Sequence, residues 1–557
     1  MVQVQQHLLG ALWGGQSCPE PAEKPVRGLK ARPTLALLAL WLVALPASAQ
    51  KFYPDDPIAR EPKPLPVAKA LNRKINDYYD YFQNTFFEPD KEEIKHHTPA
   101  PSEGVNTLGE VPDTAWFTNR IGSRLMSIDE LVCGPGDAHA PNMDKPWTVV
   151  SAKNEGVTPG LVIKDSASRK YFLKFDPKSN PELASAADVL GSKFFYALGY
   201  NVPENYIVYF GRPQLAVTAD SKYTTPDGRQ RQMTARDIED VLDKAPRDRE
   251  GRYRGLASLT IPGDIIGPFR YYGTRKDDPN DIYPHENRRD LRGLYVFAAW
   301  LNHTDSKSIN SLDSVVEEDG GHFIRHYLID FGAILGSDSF EAKTPRGGNV
   351  YLFDWKPAAW QFLSLGLYVQ PWMLANFPDI PAAGRIEYEH FDPETWKNNY
   401  PNPAFDLRTP GDTYWAAKKV MAFTDDAIRA VVRTARYTDP RASDWISKCL
   451  IERRNKIGRA FLNDLLALDN FAVRDGRLAY DDLSVKYGFH APREYTIRWA
   501  AFDNANGQKT PIAAADGFAV PHSAAQYLAA EIRADQPRQT VTVYLRGNQI
   551  AGIDRTW

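Results

Sequence analysis

Cysteine is scarce in this chain, which has only Cys18, Cys133 and Cys449 among its 557 residues. Small scaffolds held together by several disulfides are therefore excluded. Cys18 precedes a hydrophobic leader segment, so the remaining two cysteines could form at most one disulfide. The sequence leaves open whether Cys133 and Cys449 pair. Cys449 lies in an apolar helical pattern, which favours a buried free thiol.

A large excess of charge of one sign is also missing. The formal net charge is -3 and the pI is about 6.4, so no bulk attraction to nucleic acid or to an anionic membrane is expected. We therefore predict no nucleic-acid partner. Low-complexity tracts and internal repeats are absent, which excludes solenoids and propellers. The length predicts about two to four domains with a large core.

The apolar run near the N-terminus is too short to cross a membrane. Lys30 and Arg32 precede the run Leu35–Leu45, and Ala47-Ser48-Ala49 follows it. A basic start, about a dozen apolar residues and a small-x-small ending are typical of a secretory signal peptide. A transmembrane helix needs about 20 apolar residues. We expect cleavage after Ala49, a secreted or periplasmic mature chain, and no transmembrane segment in that chain.

Two common hydrolytic motifs are missing as well. There is no H-E-x-x-H or C-x-x-C framework for a zinc site and no G-x-S-x-G nucleophile elbow. His303, Asp305, His322 and His326 still suggest a metal hydrolase as an alternative, because His322 and His326 would share one face of a strand. Histidines on a hairpin are common, however, and without a framework this alternative is the weaker one.

Strand-like alternation is present between Trp147 and Phe210, interrupted by one helix that we predict from Asn180 to Gly199. From about Asp290 the pattern is helical, and beyond about Phe471 short alternating stretches return. The sequence therefore predicts an α+β fold. Its parts are a leader and signal peptide (1–49), an N-terminal arm or wrapping segment (50–145), a β-rich lobe (146–215), a helix-rich lobe (216–470) and a small C-terminal β-sandwich-like domain (471–557).

The residues with the clearest chemistry follow the helix predicted from Asp290. The segment 303–310 is His-Thr-Asp-Ser-Lys-Ser-Ile-Asn, and Asp330-Phe331-Gly332 follows across a hairpin that we predict from the turn Asp319-Gly320-Gly321. Such a hairpin would return Asp330 to the neighbourhood of Asn310.

Phosphoryl transfer needs a carboxylate near the nucleophile, metal ligands, and a cation on the phosphates. Asp305 can orient or deprotonate an acceptor hydroxyl, Asn310 and Asp330 can hold Mg²⁺, and Lys174 on a strand can reach the phosphates of a nucleotide.

These residues resemble the motifs of the protein kinase superfamily. The segment from His303 matches H-x-D-x-K-x-x-N at all four fixed positions, and Asp330-Phe331-Gly332 matches the metal-binding tripeptide of the family. The resemblance implies a two-lobed kinase-like fold with ATP and Mg²⁺ as cofactors. It implies catalytic positions for His303, Asp305 and Lys307, with Lys307 on the transferred phosphate.

The resemblance also implies an acidic partner for Lys174. Kinases use a glutamate in the middle of the following helix, and Asp188 has that position here, although its side chain is one methylene shorter. The alternative for Lys174 is a solvated lysine on an edge strand.

The nucleotide loop and the activation segment depart from the family pattern. In place of G-x-G-x-x-G the chain has residues 154–160, where Gly156 and Gly160 are the candidate nucleotide-binding glycines and Pro159 removes a donor. A plain hairpin loop is the alternative. No Ala-Pro-Glu follows Gly332, which is typical of atypical branches. We therefore identify the chain as an atypical, secreted bacterial-type member.

The sequence predicts an exported phosphotransferase that moves a phosphoryl group from Mg-ATP to an unknown acceptor, which could be a protein, a lipid or a small molecule. The alternatives are an ATP-binding pseudokinase scaffold, a non-enzymatic envelope-binding protein, and nucleotidyl transfer by the same residues. The joint presence of Asp305, Asn310 and Asp330 favours an active enzyme. The oligomeric state is left open.

Overall fold

The computed structural model describes residues 50–87, 99–136, 139–153, 160–225, 229–365, 367–513 and 517–557. The chain divides into two units between Ala49 and Gln50, and all of the described residues belong to the second unit. The predicted signal peptide and its cleavage site therefore lie outside the described residues.

Strands and helices alternate in a mixed order along this second unit. The strands are β1 Trp147–Lys153, β2 Gly160–Lys164, β3 Lys170–Lys174, β4 Asn205–Phe210, β5 Leu215–Ala216, β6 Lys222–Thr224, β7 Gln230–Gln232, β8 Tyr253–Leu259, β9 Asp264–Gly267, β10 Ser311–Glu318, β11 Gly321–Leu328, β12 Leu468–Arg474, β13 Arg477–Asp482, β14 Tyr495–Phe502, β15 Lys509–Ile512, β16 Tyr527–Ala534, β17 Thr540–Arg546 and β18 Gln549–Arg555. The α-helices are α1 Asp77–Phe82, α2 Ile128–Cys133, α3 Leu183–Leu198, α4 Ala235–Leu242, α5 Arg289–Leu301, α6 Trp355–Leu363, α7 Pro403–Asp406, α8 Pro410–Met421, α9 Asp425–Arg433, α10 Pro440–Leu462 and α11 Leu483–Lys486.

The β-rich lobe is built on one sheet with the strand order β4-β8-β3-β2-β1-β6-β7. The pairs from β4 to β1 are antiparallel, whereas β1 and β6 run parallel. Ile163, Tyr171 and Leu173 are buried in one apolar cluster, as the period of two in a strand requires. Because β8 inserts between β3 and β4, this lobe extends beyond the predicted range of 146–215.

Helix α3 packs against this sheet and begins later than its predicted start at Asn180. Glu182 precedes the first helical residue with a left-handed φ of 69° and makes no side-chain cap. Its carboxylate instead accepts a hydrogen bond from the backbone N–H of Thr438 in the helix-rich lobe, at 2.9 Å. Gly199 ends the helix as predicted, at a φ of 125°. A Cβ at Gly199 would lie 2.2 Å from the ring of Phe117, so a side chain there is excluded.

The helix-rich lobe is organised around α5, which is buried along almost its whole length. The Trp300 indole N–H donates to the carbonyl of Leu450 in α10 at 2.9 Å. Cys449 on the same helix is a buried free thiol, as predicted, and burial raises its pKa to about 12. Cys133 is free and exposed, so the two do not pair.

The C-terminal part contains a five-stranded antiparallel sheet in the order β15-β14-β16-β17-β18 and the two-stranded hairpin β12-β13. Leu468 and Leu478 of the hairpin share an apolar cluster with Trp499, Ile532 and Val543 of the sheet. The two layers form the small β-sandwich-like arrangement that the alternation predicts, although it begins at Leu468, slightly before residue 471.

The N-terminal arm spreads over the rest of the molecule. Phe52 packs into the C-terminal sheet, Trp116 and Phe117 enter the core of the helix-rich lobe, and α1 lies against the segment after α5. Across the stretches that the structure describes, we find no helix long and apolar enough to cross a membrane. The described chain is thus a two-lobed α+β fold with a wrapping arm and a C-terminal β-domain.

Candidate active site

The candidate catalytic loop begins where α5 ends. Asn302 caps the helix in the left-handed region, with a φ of 52°, and asparagine is one of the few residues that adopt this conformation readily. The Trp396 indole N–H donates to its side-chain oxygen at 3.0 Å. This turn directs the following residues out of the helix and toward the cleft between the lobes.

Asp305 is held by three side chains. The amide nitrogen of Asn310 donates to one carboxylate oxygen at 2.8 Å, and the Lys307 ammonium lies 3.1 Å from the other. Asn399, which the sequence did not single out, donates to that second oxygen at 3.3 Å. The carboxylate therefore has a fixed orientation while its side chain remains partly exposed, as a base that must reach an acceptor requires.

Lys307 has a second acidic neighbour that comes from the arm. The Lys307 ammonium donates to Asp77 of α1 at 3.1 Å. Burial lowers the pKa of Lys307, but Asp305 and Asp77 outweigh burial and raise it above the usual value. Lys307 is thus a permanent cation next to the candidate base. The sequence did not indicate Asp77 as a site residue, because Asp77 and Lys307 are far apart along the chain.

The predicted hairpin is confirmed. Strands β10 and β11 pair from Ser311 with Leu328 up to Glu318 with Gly321, and Asp319 and Gly320 turn the chain with positive φ. The Ile329 N–H donates to the Asn310 carbonyl at 3.0 Å, which brings the next residue beside the catalytic loop.

Asp330 follows this hairpin with a φ of 59°, and its carboxylate lies 2.7 Å from the ammonium of Lys174 on β3. The same ammonium lies 3.3 Å from Asp188 on α3. Burial lowers the pKa of Lys174, but the two carboxylates outweigh burial and raise it well above the usual value. Lys174 therefore joins the sheet, the helix and the post-hairpin turn in one cluster that is buried at Asp188 and partly exposed at Asp330, and it is not a solvated edge lysine.

Asp188 is the acidic partner predicted for Lys174. Its other oxygen accepts from the Phe331 N–H at 2.9 Å, so one carboxylate fixes both the lysine and the turn. Burial raises the pKa of Asp188 to about 6, in spite of the opposing effect of Lys174. The shorter side chain of Asp188 still reaches the Lys174 ammonium because α3 lies close to the post-hairpin turn. A Cβ at Gly191 of α3 would lie only 2.4 Å from Phe331 of that turn.

His303 serves a different purpose from the predicted catalytic one. Its ring is fully buried, 5.7 Å from the ring of Phe195 and 6.0 Å from that of Phe331, which itself stacks on Phe195. Burial lowers its pKa to about 4, so the ring is neutral at pH 7. His303 therefore packs the loop against Phe331 and is a positioning residue, not one that reaches a reacting atom.

The two candidate glycines have different outcomes. Gly160 is the first residue of β2 and pairs in register with Lys174, so its backbone borders the cluster. Gly156 lies outside the described residues. A small cavity of about 10 Å³ next to Lys174 is lined by Leu256, Asp330 and Gly332, among others, and it lies between the two lobes.

The zinc alternative gains no support from the described part of the chain, where no group of three or more His, Cys, Asp or Glu could hold a metal ion. His326 is buried and binds Asp313 at 2.7 Å while stacking on Trp116, which is a packing arrangement.

Asn310 and Asp330 nevertheless fit Mg²⁺, which usually takes one or two protein oxygens and completes its shell with water and phosphate. The Asn310 amide nitrogen is bound to Asp305, so the amide oxygen is the atom left for a cation. Asp330 supplies a carboxylate whose side chain is 43% exposed toward the cleft.

Comparisons with known proteins gave the following similarities. No family model matches the sequence, and no curated protein matches it. Among solved structures, the Rio2 kinase of Chaetomium thermophilum, in an ADP/Mg²⁺-phosphoaspartate complex, is 13% identical with a TM-score of 0.20, covering 52% of this chain and 71% of that one. A Golgi casein kinase is 9% identical with a TM-score of 0.27, covering 72% and 94%, and its Mn/ADP-bound form is 10% identical with a TM-score of 0.24, covering 72% and 96%.

Proposed function

We propose that the chain is an exported, atypical kinase-like phosphotransferase that transfers a phosphoryl group from Mg-ATP to an acceptor hydroxyl. The observation that supports this most directly is the ion cluster of Lys174, Asp188 and Asp330. It joins both lobes at one point and brings together a strand lysine that can bind phosphate and a post-hairpin carboxylate that can bind Mg²⁺.

Each residue of the site has one task in this proposal. Lys174 binds phosphate oxygens, and Asp188 holds the lysine in place. Asn310 and Asp330 would hold Mg²⁺. Bound Mg-ATP would supply the phosphoryl group and neutralise part of its charge. Asp305 accepts the proton of the acceptor hydroxyl, and Lys307 keeps a positive charge next to that carboxylate.

The first test is nucleotide binding by the purified chain. With ligand at about a hundred times its dissociation constant, the free energy of unfolding should rise by about 2.7 kcal/mol, and only when Mg²⁺ is present. Thermal unfolding with and without the metal measures this rise. If no nucleotide stabilises the chain, both the enzyme and the ATP-binding scaffold are excluded, and the non-enzymatic alternative remains.

The second test separates catalysis from binding. Asp305→Asn should keep nucleotide binding and lower the release or transfer of γ-phosphate by about 10²- to 10⁴-fold, the usual contribution of a general base. Asp330→Asn should lose the Mg²⁺-dependent stabilisation as well. Asp319→Asn makes the same chemical change in the hairpin turn and should alter neither quantity. Transfer of label from the α-phosphate would instead indicate nucleotidyl transfer.

A further inference from the structure

The segment of residues 351–379, here called the apolar segment, lies on the surface although its side chains are mostly hydrophobic. It contains α6 and a short 3₁₀ turn, Pro371–Leu374. None of its described residues is buried. Phe362 is 80% exposed, Leu365 91% and Leu367 85%, and Trp355, Trp360 and Leu363 are exposed as well.

The composition of this segment has no explanation in the fold of the chain itself. Residues 357–378 contain no charged side chain. Exposed apolar surface gains nothing until it is removed from water, at about 25 cal/mol per Å², and monomers rarely expose large continuous apolar patches. The segment is therefore a candidate surface for a partner that removes it from water.

The geometry favours a lipid bilayer over a protein as that partner. At about 100° per residue, Trp355, Trp360, Phe362 and Leu363 span roughly half the circumference of α6, and exposed Leu365 and Leu367 follow it. Protein interfaces are only about as apolar as the rest of a protein surface and have a polar rim. A bilayer can instead surround a protruding segment, and Trp and Tyr are typical of its interfacial region.

The dimensions indicate how deep the segment goes. Helix α6 has nine residues, a length of about 14 Å, whereas the hydrocarbon core is about 30 Å thick. The segment can therefore lie in the interface but cannot cross it. At its N-terminal side Asp354 pairs with Lys397 at 2.6 Å, and Lys356 in the first turn of α6 is exposed.

This surface is next to the candidate active site. The Leu352 N–H donates to the carbonyl of Asn399 at 2.7 Å, and the side chain of Asn399 donates to Asp305. The ring of Phe353 lies 5.3 Å from that of Phe86, so the apolar surface continues onto the exposed aromatic residues of the arm.

We propose that the apolar segment docks into the interfacial region of a lipid bilayer and holds the loop of Asp305 at the membrane surface. The driving force is the burial of the exposed apolar side chains in the bilayer. Electrostatic attraction is not needed, and the formal net charge of -3 would not provide it on an anionic membrane. The inference goes beyond the proposed function and does not depend on it.

The test places a nitroxide label at single sites of the chain that begins at Gln50, because the apolar run Leu35–Leu45 of the leader would itself bind vesicles. Cys133→Ser removes the exposed thiol, buried Cys449 is kept, and Leu363→Cys or Leu367→Cys introduces the label. With vesicles of phosphatidylethanolamine and phosphatidylglycerol, and without nucleotide, accessibility to a water-soluble nickel chelate should be lost at both sites, because an apolar face in the interfacial region is shielded from water. Leu125→Cys is the matched control, because Leu125 is 94% exposed elsewhere, and its accessibility should not change.

Three results would overturn the proposal. The chain could fail to float with the vesicles, or it could float while positions 363 and 367 stay accessible, which would mean that another part attaches it. Protection that appears without vesicles as the protein concentration rises would show that a second copy covers the segment. Unchanged thermal midpoints of the labelled chains would show that the labels leave the fold intact.

Discussion

At the scale of single residues, the site is held together by paired charges. Removing any one of them would leave its partner buried without a counter-charge, which would lower the stability of the chain. Lys174 loses its hydration inside the molecule and recovers stability only through Asp188 and Asp330. The same atoms are those proposed to bind phosphate and Mg²⁺. In their ionised forms the three side chains carry a formal charge of -1, and a bound nucleotide has to share Lys174 with Asp330.

His303 provides a prediction about pH. Its pKa is lowered from 6.5 to about 4, so the unfolded chain binds a proton between these values that the folded chain does not. Stability is therefore lost as the pH falls from about 6.5 toward 4, by about 3 kcal/mol from this residue. The free energy of unfolding in urea should therefore fall more for the native chain than for His303→Leu between pH 7 and pH 4. The expected difference between the two decreases is about 3 kcal/mol.

Comparing the native chain with His303→Leu cancels the contributions that other titrating groups make to the pH dependence of unfolding. His322→Leu makes the same change at an exposed histidine of β11 and is the matched control for the substitution. A His303→Leu variant with the same pH dependence as the native chain would mean that His303 is not buried as a neutral ring.

The sequence allowed part of the site to be predicted, and the reason is sequence proximity. Asp305, Lys307 and Asn310 lie within one loop, and the turn at Asp319 and Gly320 indicated how Asp330 returns to them. Asp77 and Asn399 could not be found in this way, because they meet the loop only through tertiary packing. His303 matched a motif position, yet its packing role depends on Phe195 and Phe331.

At the scale of elements, α1 of the arm acts as a wall of the catalytic loop. Asp80 is buried and accepts hydrogen bonds from the hydroxyls of Ser308 at 3.2 Å and Tyr400 at 3.0 Å. Burial raises its pKa, which shows that the charged form is poorly solvated there. The arm helix is therefore fixed by a few polar contacts, whereas its aromatic residues Tyr78 and Phe82 remain exposed.

Asp80→Ala tests this attachment. The substitution leaves two buried hydroxyls without an acceptor, at about 1–3 kcal/mol each, and it also removes the cost of burying a carboxylate. We expect a net loss of about 2 kcal/mol in urea unfolding and faster proteolysis of the arm. Tyr400→Phe removes only one of the two bonds and should cost about 1 kcal/mol. Unchanged unfolding and proteolysis in Asp80→Ala would show that α1 does not dock on the loop.

The periodicity of the sequence predicted whether a segment is a helix or a strand more reliably than it predicted which strands pair. The alternation in β1 to β4 and the helical pattern of α5 appear as predicted, since each is set by neighbours in the sequence. The insertion of β8 between β3 and β4 could not be predicted, because strand order depends on pairing between residues that are far apart in the sequence. For the same reason the β-rich lobe was predicted to end too early.

At the scale of the whole molecule, the two ends of the described chain meet. Phe52 of the arm is almost fully buried against the rings of Phe502, Tyr527 and Tyr544, at centroid distances of 5.9, 5.5 and 5.1 Å. Lys51 forms an ion pair with Asp554 at 2.5 Å. The C-terminal β-domain is therefore joined to the arm as well as to the helix-rich lobe, and it is not a loosely linked module.

A pair of substitutions tests this closure. Phe52→Ala should cost about 3–5 kcal/mol in unfolding, as large-to-small changes in a core do. Gly552→Ala should cost about 1–3 kcal/mol, because a Cβ there would lie 2.3 Å from the Phe52 ring. In the double variant the added methyl group enters the space that the ring has left, so the combined cost should be smaller than the sum by about 1 kcal/mol or more. Additive costs, measured by urea unfolding of all four chains, would mean that Phe52 does not pack against Gly552 and that the arm does not close onto the C-terminal sheet.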